Sequence, residues 1–321
     1  MNFQSIPENY APVSSPILYA VEFAQMREVV DVKIVDLRHD ELLGVKRLYD
    51  VTEAQIDIAP YLKRAFDFRP AECGTGVIDA DGLYAVVALE IDGQRTPERC
   101  FAPYDITDGY GTIFRTGGKH RLLSRSDSEC VVIYAPNGGL VRVECYSNDT
   151  LADSRELTLV AQQGLQMLKI LPDDLAREGE SLIIAIEIDG LADFLIYQII
   201  PTRERARRVM WIDAEGELRY YTFPTCLESR CRVKRQVVSS EEGEVLTSCE
   251  KEHTLTLVSD YETTEDIERI GGILGARKVW LDHGVTAERV EVVSTEMVLK
   301  YGGALNSLQV ELRLPTRKEV E

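Results

Sequence analysis

Four soft side chains are spaced as metal ligands can be: Cys226-x4-Cys231 and, further along, Cys249-x3-His253. Two close pairs of thiolates and imidazole are what a structural zinc site draws on, four ligands closing a tetrahedron. A hairpin turning about residues 240–243 would set Cys231 near Cys249 and Cys226 near His253. Strand parity opposes this arrangement. Cys249 and His253 are four apart and share a face, whereas Cys226 and Cys231 are five apart and point to opposite faces unless a bulge intervenes. The favoured reading leaves these thiols unliganded, with structural zinc as the open alternative.

The remaining chemistry is tested and set aside. Gly118-Lys119 fails as a phosphate loop, because Ile113 stands where a glycine is needed and His120 replaces the hydroxyl residue that would hold magnesium. Gly74-Thr75-Gly76 lacks the third glycine of a dinucleotide fingerprint, since Asp79 takes its place. His39, His120, His253 and His283 lie far apart with no motif-bearing nucleophile, which argues against an acyl-transfer triad. Asp79, Asp81, Asp105, Asp108, Asp189 and Asp193 lack calcium-loop spacing and read as turn formers. With 54 acidic residues, no carboxylate pair stands out as a glycosidase pair. No catalytic, cofactor-binding or metal-ligating residue is assigned.

The elements that would carry any site are strands. One stretch occurs twice: Val86-Val87-Ala88-Leu89-Glu90-Ile91-Asp92-Gly93 and Ile183-Ile184-Ala185-Ile186-Glu187-Ile188-Asp189-Gly190. Each is an apolar run closed by Asp-Gly, which supplies the positive φ of a tight hairpin. Upstream of each, an alternating strand runs into a proline, Ile58-Ala59-Pro60 and Ile170-Leu171-Pro172. Two landmarks in one order favour an internal duplication, with 72–82 as a surface-loop insertion in the first copy. Strands are expected over 17–23, 29–35, 47–50 and 86–91, and again over 130–135, 140–146, 156–160, 165–170, 182–188 and 194–200. Pro136-Asn137-Gly138-Gly139 is the strongest hairpin signal in the chain. After Pro201 come further strands, including 207–212, 218–223, 232–238, 245–258, 279–281, 289–293, 297–301 and 308–314. One helix is expected, because Thr263-Thr264-Glu265-Asp266 supplies a cap and first-turn acids ahead of Ile267, Ile270 and Leu274.

These signals define a mainly β chain: two tandem immunoglobulin-like β-sandwich domains followed by a β-rich α+β C-terminal domain with one helix. The expected divisions are a loose leader at 1–14, sandwiches at 15–104 and 120–201 joined by a connection at 105–119, and the C-terminal domain at 202–321. At 321 residues, with 45% hydrophobic and 28% charged side chains, the chain can bury several cores without staples. No apolar run reaches membrane-spanning length and no signal sequence is evident, so no membrane partner is expected and the cysteines are expected to stay reduced. A net charge of −18 argues against nucleic acid. One segment departs from this balance: residues 201–235 carry nine Lys or Arg against five acids. That segment reads as a solvated face or as a docking face for an acidic neighbouring copy. Tyr220, Tyr221 and Phe223 within it are equally open to exposure or burial.

Across most of its length the chain resembles a tail-associated structural protein of phages and prophages of Bacteroidetes bacteria. The resemblance runs through Ser15-Pro16-Ile17, Gln55-Ile56-Asp57-Ile58, His120-Arg121-Leu122-Leu123, Val209-Met210-Trp211-Ile212-Asp213-Ala214-Glu215-Gly216, Tyr221-Thr222-Phe223, Ile267-Glu268-Arg269-Ile270, Lys278-Val279-Trp280, Val290-Glu291-Val292-Val293 and the strand beginning at Leu308. An Asn expected near Trp211 is missing. The resemblance implies a non-enzymatic assembly protein of a tail or baseplate, made in the bacterial cytoplasm and carried in the particle. Its implied partners are other copies of itself, as a homo-oligomer, and neighbouring tail or baseplate subunits, with no cofactor. A surface binding module for carbohydrate or protein adhesion is the alternative, and a carboxylate-pair hydrolase the more distant rival.

Overall fold

A computed structural model describes residues 1–106, 120–161, 164–175, 180–188, 190–240, 243–301, 305–315 and 317–319. Most of the 105–119 connection, with Asp108, Gly118 and Lys119, lies outside the described residues, as do Asp189 and the turn residues Glu241 and Glu242. The described chain is mainly β, with one helix longer than a single turn.

The first region is built on a hairpin of two long strands, Leu18–Asp36 and Glu41–Asp57, in place of the shorter strands expected there. A bulge between Glu22 and Arg27 interrupts it, and the two halves take different further partners, Asn2–Ser5 on one and Ala85–Ile91 on the other. Tyr19, Val21 and Phe23 from one half and Val30, Val32 and Ile34 from the other enclose one core with Val87 and Leu89. The first repeated stretch is the inner strand Ala85–Ile91, which Asp92 (φ 49°) and Gly93 (φ 75°) turn back into Gln94–Arg95.

The leader expected to be loose is bound. Asn2–Ser5 pairs with the long hairpin, and Ala11–Pro12 runs parallel to Phe101 and Ala102. Tyr10 is buried, its N–H donates to Cys100 O at 2.6 Å, and its ring presses on Gly164, where a Cβ would overlap it. The partners that hold Tyr10, Ala11 and Pro12 lie 90 or more residues away, where no local pattern can register them.

The 72–82 insertion is also not the surface loop expected. Gly76–Asp79 crosses over and pairs with Gly164–Ile170, completing a three-stranded sheet with Glu129–Ala135. That sheet packs against a five-stranded one made, in spatial order, of Thr150–Leu159, Gly139–Ser147, Ser181–Ile188, Leu191–Ile200 and His120–Ser124. Val131, Ile133 and Leu168 meet Val143, Ile184 and Tyr197 between the layers, which makes this region a sandwich. The Pro136–Gly139 signal forms a turn, with Gly138 at φ 79°, but not a hairpin. The strands on either side belong to opposite layers, so the turn is a corner between sheets. A turn dipeptide sets the local chain reversal, while the neighbour each strand takes is decided by which face it must bury.

The third region is one eight-stranded sheet carrying the helix Thr264–Gly271. As expected, Thr263 caps it, its Oγ1 accepting from Asp266 N–H at 3.2 Å, and Ile267 and Ile270 face the core. Leu308, Val310 and Leu312 are buried as their alternation requires. Residues 297–301 form no strand; Met297 instead packs beside Gly271 and the core under the helix. Met297 and Leu299 turn toward that core while Val298 and Tyr301 are 65% and 80% exposed.

Candidate interaction surfaces

The three regions are fused by a core of their own. Tyr10, Phe68 and Tyr84 from the first, Cys130 and Met167 from the second, and Met210 and Trp280 from the third form one cluster. Phe68 meets Trp280 edge-on at 5.7 Å, and Tyr10 meets Tyr134 at 5.0 Å. Beside this cluster runs a buried polar network between the second and third regions. Arg208 Nη2 donates to Glu129 Oε2 at 2.6 Å, Nε to Ser128 O at 2.6 Å and Nη1 to Thr222 Oγ1 at 2.8 Å. Arg121 and Tyr197 both donate to Glu129 Oε1, Tyr197 at 2.8 Å. Asp282 accepts from Ser128 N–H at 2.7 Å and from Gly284 N–H at 2.9 Å.

Burial alone would push Glu129 up, but Arg121, Arg208 and Tyr197 together outweigh it and hold its carboxyl below the usual value. Asp282 goes the other way: burial raises it, and Arg208 and the Ser128 and Gly284 N–H groups only partly offset that. A cavity of about 650 Å³ opens beside the network, lined in part by Arg121, Glu129, Arg208, Tyr221 and Glu262. These groups are already committed, since Tyr221 donates to Glu262 at 3.1 Å and the rest hold one another. The network ties the second region to the third through Arg208, Ser128, Glu129 and Asp282.

The basic 201–235 segment does not form one face. Arg208 is buried, and Arg219 pairs with Asp213 and Glu217. Tyr220 and Tyr221 are half-buried and Phe223 fully buried. Past Thr225 the chain changes character. Thr225–Ser240 and Gly243–Val258 form an arm in which every side chain from 227 to 237 is exposed. Arg230 there pairs with Glu228, whereas Arg232, Lys234 and Arg235 have no ion pair among the described residues.

The four residues weighed as zinc ligands lie on this arm, in a register other than the one considered. Cys231 stands opposite His253, with Sγ 3.6 Å from Nε2. Cys249 stands opposite Arg235 and Cys226 opposite Leu257. A bulge between Cys226 and Glu228 does occur, yet only two of the four meet, and no group of three potential ligands exists among the described residues. Elsewhere His39 Nδ1 lies 2.8 Å from Asp36, and His283 lies 4.0 Å from Glu288, so the described histidines sit in separate elements. Asp79 and Asp81 both hold Arg38.

Sequence reading overlooked a second exposed edge. Glu41–Asp57 pairs only with Leu18–Asp36 among the described residues, leaving seventeen residues open on one side. Leu42, Val45 and Tyr49 along it are 52%, 44% and 63% exposed. Glu41, Asp50 and Glu53 have no ion pair among the described residues, whereas Arg47 is held by Asp31 at 2.7 Å. Alternation along 41–57 is broken at Leu42-Leu43, Lys46-Arg47 and Leu48-Tyr49, so side-chain period does not mark one long strand there.

No family model matches this chain, and no curated protein matches it. Among solved structures, Dpr2 Ig1-Ig2 in complex with DIP-Theta Ig1-Ig3 aligns over 100% of this chain and 90% of that one at 10% identity, with a TM-score of 0.20. Drosophila OTK extracellular domains 3-5 align over 79% and 94% at 9% identity, with a TM-score of 0.23. Titin domains I67-I69 align over 79% and 92% at 6% identity, with a TM-score of 0.16. At these scores the backbones do not superpose, and nothing about those proteins passes to this one.

Proposed function

We propose that this chain is a structural subunit of a phage or prophage tail or baseplate, acting without enzymatic chemistry through self-association and contacts with neighbouring subunits. The observation that carries the reading is the pairing of one core shared by three regions with two long strand edges left open among the described residues. Natural proteins keep exposed edges short or cover them, since an open row of N–H and C=O groups recruits another strand. Here Glu41–Asp57 and Thr225–Ser240 each run about three times the usual strand length with one side open among the described residues. Such edges are a liability in a free monomer and an asset in an assembly. The core shared by all three regions supports the same reading, because a fixed angle between contact surfaces is what a regular assembly requires.

On this reading the chain is made in the bacterial cytoplasm and ends in the particle. Gradient-purified tail particles from an induced culture of the source bacterium should contain it in fixed proportion to other tail subunits, as read by quantitative mass spectrometry. Recovery solely in the particle-free fraction would overturn the tail reading.

A further inference from the structure

The two open edges carry opposite charge. Residues 225–237 hold four cations against one acid, a net of +3, while Glu41–Asp57 holds four acids against two cations, a net of −2. Removing the charges already paired inside the chain sharpens the contrast. Arg232, Lys234 and Arg235 remain on one edge, and Glu41, Asp50, Glu53 and Asp57 against Lys46 on the other. Exposed apolar side chains accompany the charges, Val233 and Val237 on the arm and Val45 and Tyr49 on the hairpin.

We infer that the arm edge of one copy adds as a strand to the Glu41–Asp57 edge of a second copy, the free cations of the arm meeting the free carboxylates of the hairpin. This rests on the assembly reading and names its first contact. Main-chain hydrogen bonds along the edges provide affinity, and the charges select which edge meets which. Two arm edges repel one another, as do two hairpin edges, so a symmetric dimer through like edges is disfavoured. The contact is therefore heterologous. Each copy offers one arm and one hairpin at an angle held by the shared core, and such a contact propagates from copy to copy until it closes as a ring or runs on as a filament. The bland account of the same cations is that they blunt a free edge against aggregation. That account predicts no dependence on the hairpin's acids.

Sedimentation velocity on the full chain separates the two. One variant carries Arg232→Glu and Arg235→Glu. The other carries Asp50→Asn and Glu53→Lys, asparagine being chosen because Asp50 sits at φ 50°, which Asn tolerates. The wild-type chain should form multimers larger than a dimer at low salt. Each variant alone should associate more weakly by about tenfold or more, with an unchanged thermal midpoint. An equimolar mixture should recover multimers, because reversed arm meets reversed hairpin and native arm meets native hairpin. Variants that associate as the wild type does, a mixture that stays dissociated, or a wild-type chain monomeric at every concentration would each overturn the inference. The particle test of the tail reading is separate. A chain present in tails yet monomeric alone keeps that reading and loses this contact.

Discussion

The 201–235 segment holds two populations of arginine that composition treats as one. Arg208 is 4% exposed and spends its guanidinium on Glu129, Ser128 and Thr222. Arg232 and Arg235 stand in water with no ion pair among the described residues. The same side chain is structural cement in one place and an unspent contact in the other. Burial makes the difference. In the joint a low dielectric strengthens each pair and makes an unpaired charge costly, whereas on the arm water screens the charge and leaves it available.

The contrast is broken most directly at the joint. Arg208→Met should destabilise the chain by about 3–5 kcal/mol in urea denaturation, since it leaves Glu129 with one cation fewer in a buried site. A loss below about 1 kcal/mol would mean that the joint is hydrated and that its distinction from the arm is false.

Acid should loosen the joint next. Glu129 has a folded-state pKa below its ordinary value of 4.5, so the stability it supplies is present above that value and is lost as pH falls through the folded pKa. Asp282 has a raised folded-state pKa, so it favours the folded state when protonated and that contribution is lost as pH rises through the folded value. The two oppose each other. Because Glu129 is held by two cations and Tyr197, the net expectation is a urea midpoint that declines below about pH 4.5 in the wild type. Glu129→Gln should flatten that decline, and an unchanged slope would remove Glu129 from the account.

Salt sharpens the comparison without a mutation. Raising ionic strength from 0.1 to about 1 M shortens the screening length from about 10 to 3 Å, which should dissolve multimers held by edge charges while leaving the unfolding midpoint of the monomer nearly unchanged. The smallest effect is expected on the arm itself. Arg232→Ala, Lys234→Ala and Cys231→Ser should each alter monomer stability by no more than about 0.5 kcal/mol in thermal unfolding. A larger cost at Cys231 would show that its contact with His253 holds the arm together.

Much of the chain could be read without coordinates, for a common reason: the evidence was local. The class, the one helix with Thr263 at its cap, the Asp92-Gly93 turn and the buried row Leu308, Val310 and Leu312 all follow from side-chain period and turn chemistry within a few residues. What tertiary structure decided was partnership. The leader is bound because Tyr10 meets Gly164, and 76–79 is a strand because Gly164–Ile170 offered an edge. Cys231 faces His253 because a bulge between Gln236 and Val237 shifts the register, and Arg208 is buried because Glu129 arrives from another region. Periodicity along a chain records which face of a strand is apolar, but pairing energy depends on groups brought together from about 20 to 150 residues apart, and no local pattern encodes which of several compatible edges will arrive.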